Sequence, residues 1–418
     1  MQPLPPLPDW VTLEHEVARL MTQQEIHGWY FDEKEAEKLA SSLQSELEEH
    51  SESLRNRFPF VAGEEFTPKR NNKRTGYIEG ATFTKLKDFN PTSRDHIAWI
   101  LTNRDGFSPS VMTASGKISI DETTLTAHGT KLALTFLRML EITKILGMIS
   151  EGVNAWLKLC TKSRIHHNCQ VGCSTFRMAH RKPNLAQVPS DPRTRKLFMA
   201  TPGQVMVGAD LSGIELRCLA HYLAVYDGGR YADILLNGDI HQVNADKIGI
   251  SRKLVKNVTY AFLYGAGDLK IGQTYDKHLS DSAAKSKGKE IRKAYVDAID
   301  GLADLLTAIK AAGDRGYVKA IDGRKVLLDS PHKALNFLLQ GSAAVIAKRW
   351  LVLSADNPYC CSQLAFIHDE LQYECDPEHA EVLKSHLETS AIKAGTYYNF
   401  RVPIAAEGKI GNNWAEVH

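Results

Sequence analysis

The sequence predicts a mixed α+β protein built from two or three folding units. The chain has 418 residues, 43% of them are hydrophobic, and long stretches with helical spacing alternate with short apolar runs. A chain of this length buries enough apolar surface to form more than one core. Its apolar runs fall short of the roughly 18 residues that cross a membrane, so we expect no membrane association.

Charge and cysteine content narrow the class of protein. The formal net charge is +2, which by itself does not indicate nucleic-acid binding. Between Lys162 and Lys196, however, eight Lys or Arg residues accompany one acid, so this stretch is either a solvated surface, which charge alone favours, or a face that contacts phosphates. Seven cysteines are too few for a disulfide framework in this length and predict a reducing, cytoplasmic location. Met1 to Pro6 lacks the features of a secretory signal.

Helical spacing dominates the first part of the chain. Trp10 to Arg57 has apolar residues at helical intervals, interrupted at Gly28 to Asp32. A second helical region runs from about Glu122 to Leu159. Between these regions, Lys69 to Arg74 is predicted to be a basic, polar loop.

The composition changes at Ser163, where Gly, Cys, Pro and short apolar runs indicate a sheet. Helices return from Asn237 to Gly313, and strands return from about Leu364 with a helix near Glu378 to Lys393. The order of elements therefore predicts a sheet whose strands come from two distant parts of the chain.

Two acidic side chains are predicted to lie at strand ends. Val205 to Ala209 is a short buried-strand pattern that ends at Asp210, where a helix follows. Leu364 to Ile367 is another apolar strand, and Asp369 lies at the tip of the hairpin that follows it. Two carboxylates about 4 Å apart repel by roughly 4 kcal/mol at an effective dielectric constant of 20, and Mg²⁺ between them reverses that sign. Taken singly, each Asp fits an ordinary turn or cap residue better.

A predicted helix carries cations and aromatic rings on one face. Ser251 is a good N-cap, and Gly265 to Gly267 ends the helix. Between them, four side chains recur every fourth residue and span a face of roughly 120°: Arg252, Lys256, Tyr260 and Tyr264. Two cations suit a triphosphate and two rings suit a sugar and a base, with His241 within reach upstream. The alternative is a solvated basic face that runs into two core tyrosines.

A third predicted stripe is polar. His332, Asn336 and Gln340 follow one another at the same spacing of four. Donors and acceptors on one helix face can contact the minor-groove acceptors that every base pair presents. A helix with a polar outer face is an equally good interpretation.

Taken together, these segments resemble DNA polymerase family A, the DNA polymerase I family, and in particular its T-seven-like phage replicative branch. Three motifs carry the resemblance: Asp210-Leu211-Ser212-Gly213-Ile214-Glu215-Leu216-Arg217, then Arg252-x-x-x-Lys256-x-x-x-Tyr260-Ala261-x-x-Tyr264-Gly265, then His368-Asp369-Glu370. Further segments fit the same family: Asn184 to Pro189, Ser330 to Gln340 and Glu407 to Trp414. The resemblance covers nearly all of residues 10–418.

The resemblance implies a right-hand polymerase fold with an antiparallel-sheet palm, helical fingers and a helical thumb. The expected divisions are an N-terminal segment packed on the palm at 1–30, the thumb at 31–165, the palm at 166–235 and 341–418, and the fingers at 236–340. The implied reaction is DNA-directed addition of dNTPs to a primer 3′ end in phage replication. Two Mg²⁺ ions, with Mn²⁺ as a substitute, would assist it.

The resemblance also implies a role for each motif residue. Asp210, Asp369 and the Leu211 carbonyl would hold the metal ions. The incoming nucleotide would be bound by Arg252, Lys256 and His241 at the triphosphate, Tyr260 at the sugar, Glu215 beside the 2′ position and Tyr264 near the templating base. The primer–template would be lined by Arg177, Arg195, His332, Asn336, Gln340 and His368.

This sequence departs from the family pattern in several places. Phe176 stands where the family often has Gly, which makes the role of Arg177 less secure. Ala261 stands where Gly is usual in the phage branch, which is a mild change. No exonuclease domain is expected before Trp10, so proofreading is not expected in this chain. The thumb insertion that binds thioredoxin in the type phage enzyme is either missing or reduced to about Thr67 to Lys87. Thioredoxin is therefore not an expected partner, whereas a phage or host processivity factor and a separate exonuclease stay open.

Three alternatives compete with this interpretation. A single-subunit RNA polymerase shares the palm architecture, but Glu215 beside the sugar disfavours a 2′-hydroxyl. An inactive DNA-binding protein on a polymerase scaffold would not need both carboxylates and both cations. A zinc module could involve four side chains that are close in sequence, although their spacing is looser than in most zinc sites: His166, His167, Cys169 and Cys173.

Overall fold

The structure is a computed structural model that describes residues 6–109, 111–113, 115–277 and 279–418. The chain forms two compact units, one from the residues up to Glu33 together with Leu159–His418 and the other from Lys34–Lys158. No helix in the described ranges is both long and apolar enough to cross a membrane.

The helices and strands follow the predicted alternation. The helices are α1 Asp9–His27, α2 Glu33–Arg57, α3 Arg94–Arg104, α4 Glu122–His128, α5 Lys131–Leu146, α6 Trp156–Leu159, α7 Pro192–Arg195, α8 Ile214–Asp227, α9 Arg230–Asn237, α10 Ile240–Ile248, α11 Arg252–Leu263, α12 Asp268–Tyr275, α13 Asp281–Ala298, α14 Leu302–Gly313, α15 Ala334–Ala355 and α16 Ala380–Tyr397. The strands are β1 Trp29–Phe31, β2 Phe60–Phe66, β3 Phe83–Asp88, β4 Arg164–Ile165, β5 Asn168–Val171, β6 Met178–Arg181, β7 Phe198–Met199, β8 Val205–Leu211, β9 Tyr317–Lys319, β10 Lys325–Leu327, β11 Cys361–Ile367, β12 Glu370–Cys375 and β13 Ala406–Gly411.

A four-stranded antiparallel sheet lies at the centre of the first unit. Its strand order is β11-β12-β8-β13, so the two distant strand regions of the sequence pair directly, as predicted. The register places Glu370 opposite Asp210 on one side of β8 and Glu407 opposite it on the other. This pairing brings both predicted strand-end acids to the same edge of the sheet.

Helices cover this sheet because their apolar residues recur at helical spacing. On α1, Leu13, Val17 and Leu20 are buried, and this helix packs against α15 and β11. Nearly every residue of α15 is buried, since α15 is surrounded by α1, α8, α14 and α16. The predicted break at Gly28 to Asp32 contains β1, which pairs with β4 and β7.

The second unit has a core of its own and a basic hairpin. Ile97, Leu101, Phe136 and Met139 are among its buried residues. Strands β2 and β3 pair antiparallel, and the predicted basic loop lies between them. The predicted boundaries of the thumb, palm and fingers stay predictions, because two compact units do not test a division into three domains.

Candidate active site

Asp210 and Asp369 lie next to each other at the edge of the central sheet. Strand β8 ends at Leu211, whose amide donates to the carbonyl of Asp369 at 2.9 Å. Only His368 and Asp369 connect β11 to β12, and His368 has a φ of 58°. A side chain in this left-handed region is uncommon and is found often at functional turns. The predicted hairpin with an acid at its tip is therefore present.

The electrostatics of this pair fit a cation site. Burial and, as the second cause, the charge of Asp210 raise the pKa of Asp369 to about 7. Burial also raises the pKa of Asp210 to about 6, with Glu370 as the next contributor. Both carboxyl groups are thus more easily protonated than usual, because burial and the neighbouring acids outweigh the positive charges of His418 and Arg177. A divalent cation with oxygen ligands would supply further positive charge.

Glu370 is the third acid at this edge, and it is held by hydrogen bonds. Its buried carboxylate accepts from Trp414 Nε1 at 2.5 Å and from Gln372 Nε2 at 2.7 Å, and it lies 3.2 Å from His418 Nδ1. Burial would raise the pKa of Glu370, but these hydrogen bonds outweigh burial and lower it. Gly208 makes the arrangement possible, because a Cβ there would lie 2.6 Å from Gln372 Oε1.

The cationic and aromatic face of α11 is present as predicted. Ser251 caps the helix by accepting from the Leu254 amide at 3.3 Å. Along this face, Arg252, Lys256 and Tyr264 are exposed, and Tyr260 is half-buried. Arg252 Nε donates to Asp239 Oδ2 at 2.6 Å. The Asp239 side chain also caps α10, so Arg252 is held close to the start of both helices.

His241 lies on α10, and its ring is next to the ring of Tyr260 on α11. The ring centroids of these two residues are 6.3 Å apart, and His241 is buried. Burial lowers the pKa of His241, with smaller contributions from neighbouring charges. The predicted nucleotide residues of α10 and α11 are therefore in one place.

Glu215 contacts two other predicted site residues. It lies in the first turn of α8 and accepts from Arg177 Nη2 at 2.5 Å and from the Tyr264 hydroxyl at 3.2 Å. Phe176, the residue before Arg177, has a φ of 63°. Gly adopts this left-handed region most easily, which explains why Gly suits this position. The Phe176 ring packs under the Arg324 guanidinium at 5.0 Å, so the substitution leaves Arg177 free to reach Glu215.

The third predicted stripe differs from the prediction. His332 lies in a 3₁₀ turn, Pro331–Lys333, where it contacts Ser330 Oγ at 2.7 Å, and α15 begins only at Ala334. The prediction of one helix carrying all three residues is wrong for His332, because Pro331 starts a separate turn. Asn336 is buried and its amide donates to the Leu263 carbonyl at 3.0 Å. It therefore ties α15 to the end of α11, whereas Gln340 is half-buried.

Arg195 is held beside the sheet edge. Its guanidinium stacks on the Trp414 ring at 4.8 Å, and Nε donates to the Pro189 carbonyl at 3.2 Å. The support that Trp414, Gln372 and His418 give to Glu370 was not predicted. A buried Trp near the end of the chain was the one available signal, and it does not reveal its partner.

The four residues of the zinc alternative do not converge. His166 Nδ1 contacts the Glu25 carbonyl at 2.8 Å, and Cys169 Sγ is 3.8 Å from the Phe366 carbonyl. Cys173 is exposed. Across the described part of the chain, no three or more His, Cys, Asp or Glu side chains are grouped so as to hold a metal ion.

Comparison with known proteins agrees with this geometry. The family model described as DNA polymerase family A matches residues 37–416. The chain belongs to DNA polymerase family A. It is 33% identical to the DNA-directed DNA polymerase of Enterobacteria phage T3 and 32% identical to that of Escherichia phage T7, and each comparison covers 98% of this chain and 70% of the phage protein.

A solved structure supports the fold of this family A chain. The POL domain of Pol1 from M. smegmatis, in complex with DNA primer-template and dNTP, has a TM-score of 0.77 and 21% identity. The comparison covers 96% of this chain and 70% of that one. The predicted right-hand α+β polymerase fold is confirmed.

The raised pKa of Asp369 predicts that replacing this carboxyl with an amide stabilises the family A chain. In the folded state this carboxyl titrates near pH 7, compared with about 4 when unfolded. Stability is therefore lost as the pH rises from about 4 to 7. At pH 8 with a chelator, we expect Asp369→Asn to raise the free energy of unfolding by about 1–3 kcal/mol, after allowance for solvent screening.

Urea unfolding of both proteins measures this effect. The difference should shrink at pH 5, where the parent carboxyl is protonated, and in excess Mg²⁺. Asp356→Asn, an exposed position at the end of α15, is the matched control and should change little. A variant no more stable than the parent at pH 8 would contradict the assignment.

Proposed function

We propose that this chain is a DNA-directed DNA polymerase that extends a primer 3′ end in phage DNA replication. The observation that carries the proposal is the meeting of Asp210 and Asp369 at one sheet edge, beside a helix face with two cations and two tyrosines. Neither carboxylate alone would indicate a reaction. Together they form a site for a substrate that brings its own phosphates and its own metal ions.

Asp210, Asp369 and the Leu211 carbonyl would hold two Mg²⁺ ions, which Mn²⁺ can replace. Bound there, the ions would supply Lewis acids for the attacking and the leaving oxygen. The raised pKa values of both carboxyl groups support this, because a bound divalent cation would favour the charged form of each. Glu370 adds a negative charge beside the pair, but its hydrogen bonds to Trp414 and Gln372 limit it to a supporting role.

The residues of α11 would bind the incoming nucleotide. Lys256 and Arg252 neutralise the triphosphate, and Arg252 exchanges its contact with Asp239 for a phosphate oxygen. Tyr260 packs on the sugar, with His241 behind it. Glu215, held by Arg177 and Tyr264, lies beside the 2′ position and excludes a hydroxyl. Tyr264 is placed next to the templating base.

The minor groove of the primer–template would be lined by side chains near this edge. His368 follows the last strand residue of β11, and Arg195 and Gln340 lie on other elements of the same unit. Asn336 would act differently from the others by tying α15 to the end of α11, since its amide donates to the Leu263 carbonyl. His332 lies outside α15, the helix that carries Asn336 and Gln340.

Primer extension with dNTPs and, separately, with rNTPs tests the proposed function. The purified chain is expected to extend a matched primer with dNTPs and Mg²⁺ and to use rNTPs at least ~100-fold less efficiently, since a polar group misplaced in a closed pocket costs a few kcal/mol. Preference for rNTPs would favour the single-subunit RNA polymerase. Failure with both would favour the inactive DNA-binding protein.

The basic loop of the second unit would contact DNA phosphates. Its four cations are exposed and make no ion pair with any described residue: Lys69, Arg70, Lys73 and Arg74. The loop is ordered locally, because the Asn72 side chain accepts from the Arg74 and Thr75 amides and Asn71 accepts from the Glu79 amide. Packing among Phe66, Tyr77 and Phe83 closes its base.

Neutralising these four cations to Gln is expected to weaken duplex binding and its salt dependence together. Each lost phosphate contact lowers the slope of log affinity against log salt by about 0.9. Fluorescence anisotropy with labelled primer–template between low and physiological salt measures this slope. The control neutralises four exposed lysines elsewhere in the unit: Lys34, Lys38, Lys131 and Lys144. An unchanged slope in the loop variant, or an equal change in the control, would contradict the assignment.

We propose that this chain carries no proofreading site of its own. The acids of α1 lie on an amphipathic helix. Among the acids of α2 only Glu33 comes just after a strand, the three-residue β1, and there it accepts from Ser163 Oγ at 2.9 Å. A labelled mismatched primer should therefore remain intact with Mg²⁺ and no dNTPs. Shortening that persists when Asp210→Asn and Asp369→Asn are combined would reveal a nuclease site. Thioredoxin is not expected to lengthen products, whereas a phage or host processivity factor or separate exonuclease stays part of the proposal.

A further inference from the structure

Three histidines form a row that ends at the catalytic turn. His167 precedes β5, His180 lies on β6 and His368 precedes Asp369. The ring centroids of His167 and His180 are 6.0 Å apart with planes inclined by 17°, and those of His180 and His368 are 5.9 Å apart with perpendicular planes. We call these three residues the histidine row.

The polar atoms of the histidine row are buried and need partners. His167 is 1% exposed and His180 is 6% exposed. Among the described residues, no group bonds either ring nitrogen of His180 or the Nδ1 atoms of His167 and His368. Leaving such an atom unbonded is costly, and ordered internal water commonly satisfies it. Burial lowers the pKa of His167 to about 3 and of His180 to about 4, so each ring has one donor and one acceptor.

A chain of amides fixes which nitrogen of His167 carries the proton. The Tyr373 hydroxyl donates to Gln363 Oε1 at 3.3 Å, and Gln363 Nε2 donates to Gln24 Oε1 at 2.7 Å. Gln24 Nε2 therefore faces His167 Nε2, at 3.0 Å. An amide nitrogen only donates, so His167 Nε2 is the acceptor and its proton lies on Nδ1.

We propose that internal water molecules join the histidine row and carry this direction of hydrogen bonding to His368. His167 Nδ1–H then donates towards His180, whose other nitrogen carries its proton and donates towards His368 Nδ1. The proton of His368 is thereby fixed on Nε2. His180 and Gln24 are positioning residues in this account, because they act only through His368.

The consequence rests on the proposed function, in which His368 faces the minor groove at the primer end. Purine N3 and pyrimidine O2 are acceptors that every correct base pair presents in that groove. A fixed Nε2–H is a donor matched to that acceptor, whereas the other tautomer would present a second acceptor. The histidine row would thus let the enzyme check the last base pair without reading its sequence.

A primer that ends in 3-deazaadenine tests the donor, because its N3 is replaced by C–H. The parent enzyme is expected to extend it about 5–10-fold more slowly than a primer ending in adenine, the equivalent of one hydrogen bond. His180→Phe keeps an aromatic ring but removes both nitrogens. It should extend both primers at the same rate within about twofold, near the slower parent rate.

Gln24→Glu tests the direction of the row from its far end. A carboxylate accepts where the amide donated, so His167 and then His180 and His368 should change tautomer. This variant should also lose sensitivity to 3-deazaadenine. Gln23→Glu, the same change at an exposed neighbouring position, should keep it. Circular dichroism and the thermal midpoint of unfolding establish that each variant is folded.

Nitrogen-15 NMR of histidine-labelled protein reads the tautomer directly and does not depend on activity. The proposal requires His368 to be protonated at Nε2 in the parent and at Nδ1 in Gln24→Glu. The opposite parent tautomer, or retained 3-deazaadenine sensitivity in folded His180→Phe, would overturn the row. A parent enzyme that shows the required tautomers but extends both primers equally would instead overturn the minor-groove role of His368 in the proposed function.

Discussion

Asp210→Asn and Asp369→Asn are each expected to lower the rate of primer extension by roughly four orders of magnitude. An amide oxygen is a much weaker ligand for Mg²⁺ than a carboxylate, and the acid that pairs with Asp210 on β12, Glu370, is not free to replace either carboxylate. Glu370 is engaged by Trp414 and Gln372. Single-turnover extension of a labelled primer measures the loss.

Binding separates loss of chemistry from loss of structure. Primer–template affinity should change less than about threefold in both variants, because phosphate contacts elsewhere supply most of it. Glu407→Gln is the matched control, since Glu407 lies opposite Asp210 on β13 but outside the proposed metal set. Extension by Asp369→Asn within tenfold of the parent would refute the assignment of the metal pair.

Tyr260→Phe is expected to make the enzyme discriminate against dideoxynucleotides by about 10–100-fold relative to the parent. The phenol can donate to the triphosphate of the incoming nucleotide and so supply a contact that a missing 3′-hydroxyl would otherwise make. A hydrogen bond to a charged group contributes about 1.5–3 kcal/mol. Competition between a dNTP and its dideoxy form in single-nucleotide extension measures the ratio.

Tyr264→Phe is the control for this change because it removes a phenol from the same helix face. Its hydroxyl contacts Glu215, so we expect it to alter selection at the 2′ position and to leave dideoxynucleotide use unchanged. Unchanged termination by Tyr260→Phe would show that the phenol makes no such contact. Equal effects of both changes would point to helix packing as the cause.

Local patterns were enough to predict the elements that carry the site. The buried run before Asp210 and the one before His368 predicted β8 and β11, because a short apolar run between turns has few other structures available. Ser251 and Gly265 predicted the ends of α11, since caps satisfy backbone groups locally. The family resemblance then related these separate segments to one fold, and that fold is confirmed.

Contacts between distant segments were not predictable from these patterns. Nothing in the local sequence indicates that Arg177 reaches Glu215, or that Trp414 and Gln372 hold Glu370, because tertiary packing decides these pairs. The spacing of four at His332 suggested a continuous helix, but Pro331 and the burial of Asn336 changed the outcome. The roles of individual site residues stay predictions until the variants above are measured.

Single-turnover incorporation on four templates that differ only in the templating base tests the central claim most directly. In the presence of Mg²⁺, the purified chain should add the complementary dNTP to each primer and should add the other three far more slowly. Addition should stop when a chelator removes the metal. Addition that is independent of the templating base, or absent from all four templates, would contradict the conclusion that this chain is a template-directed DNA polymerase.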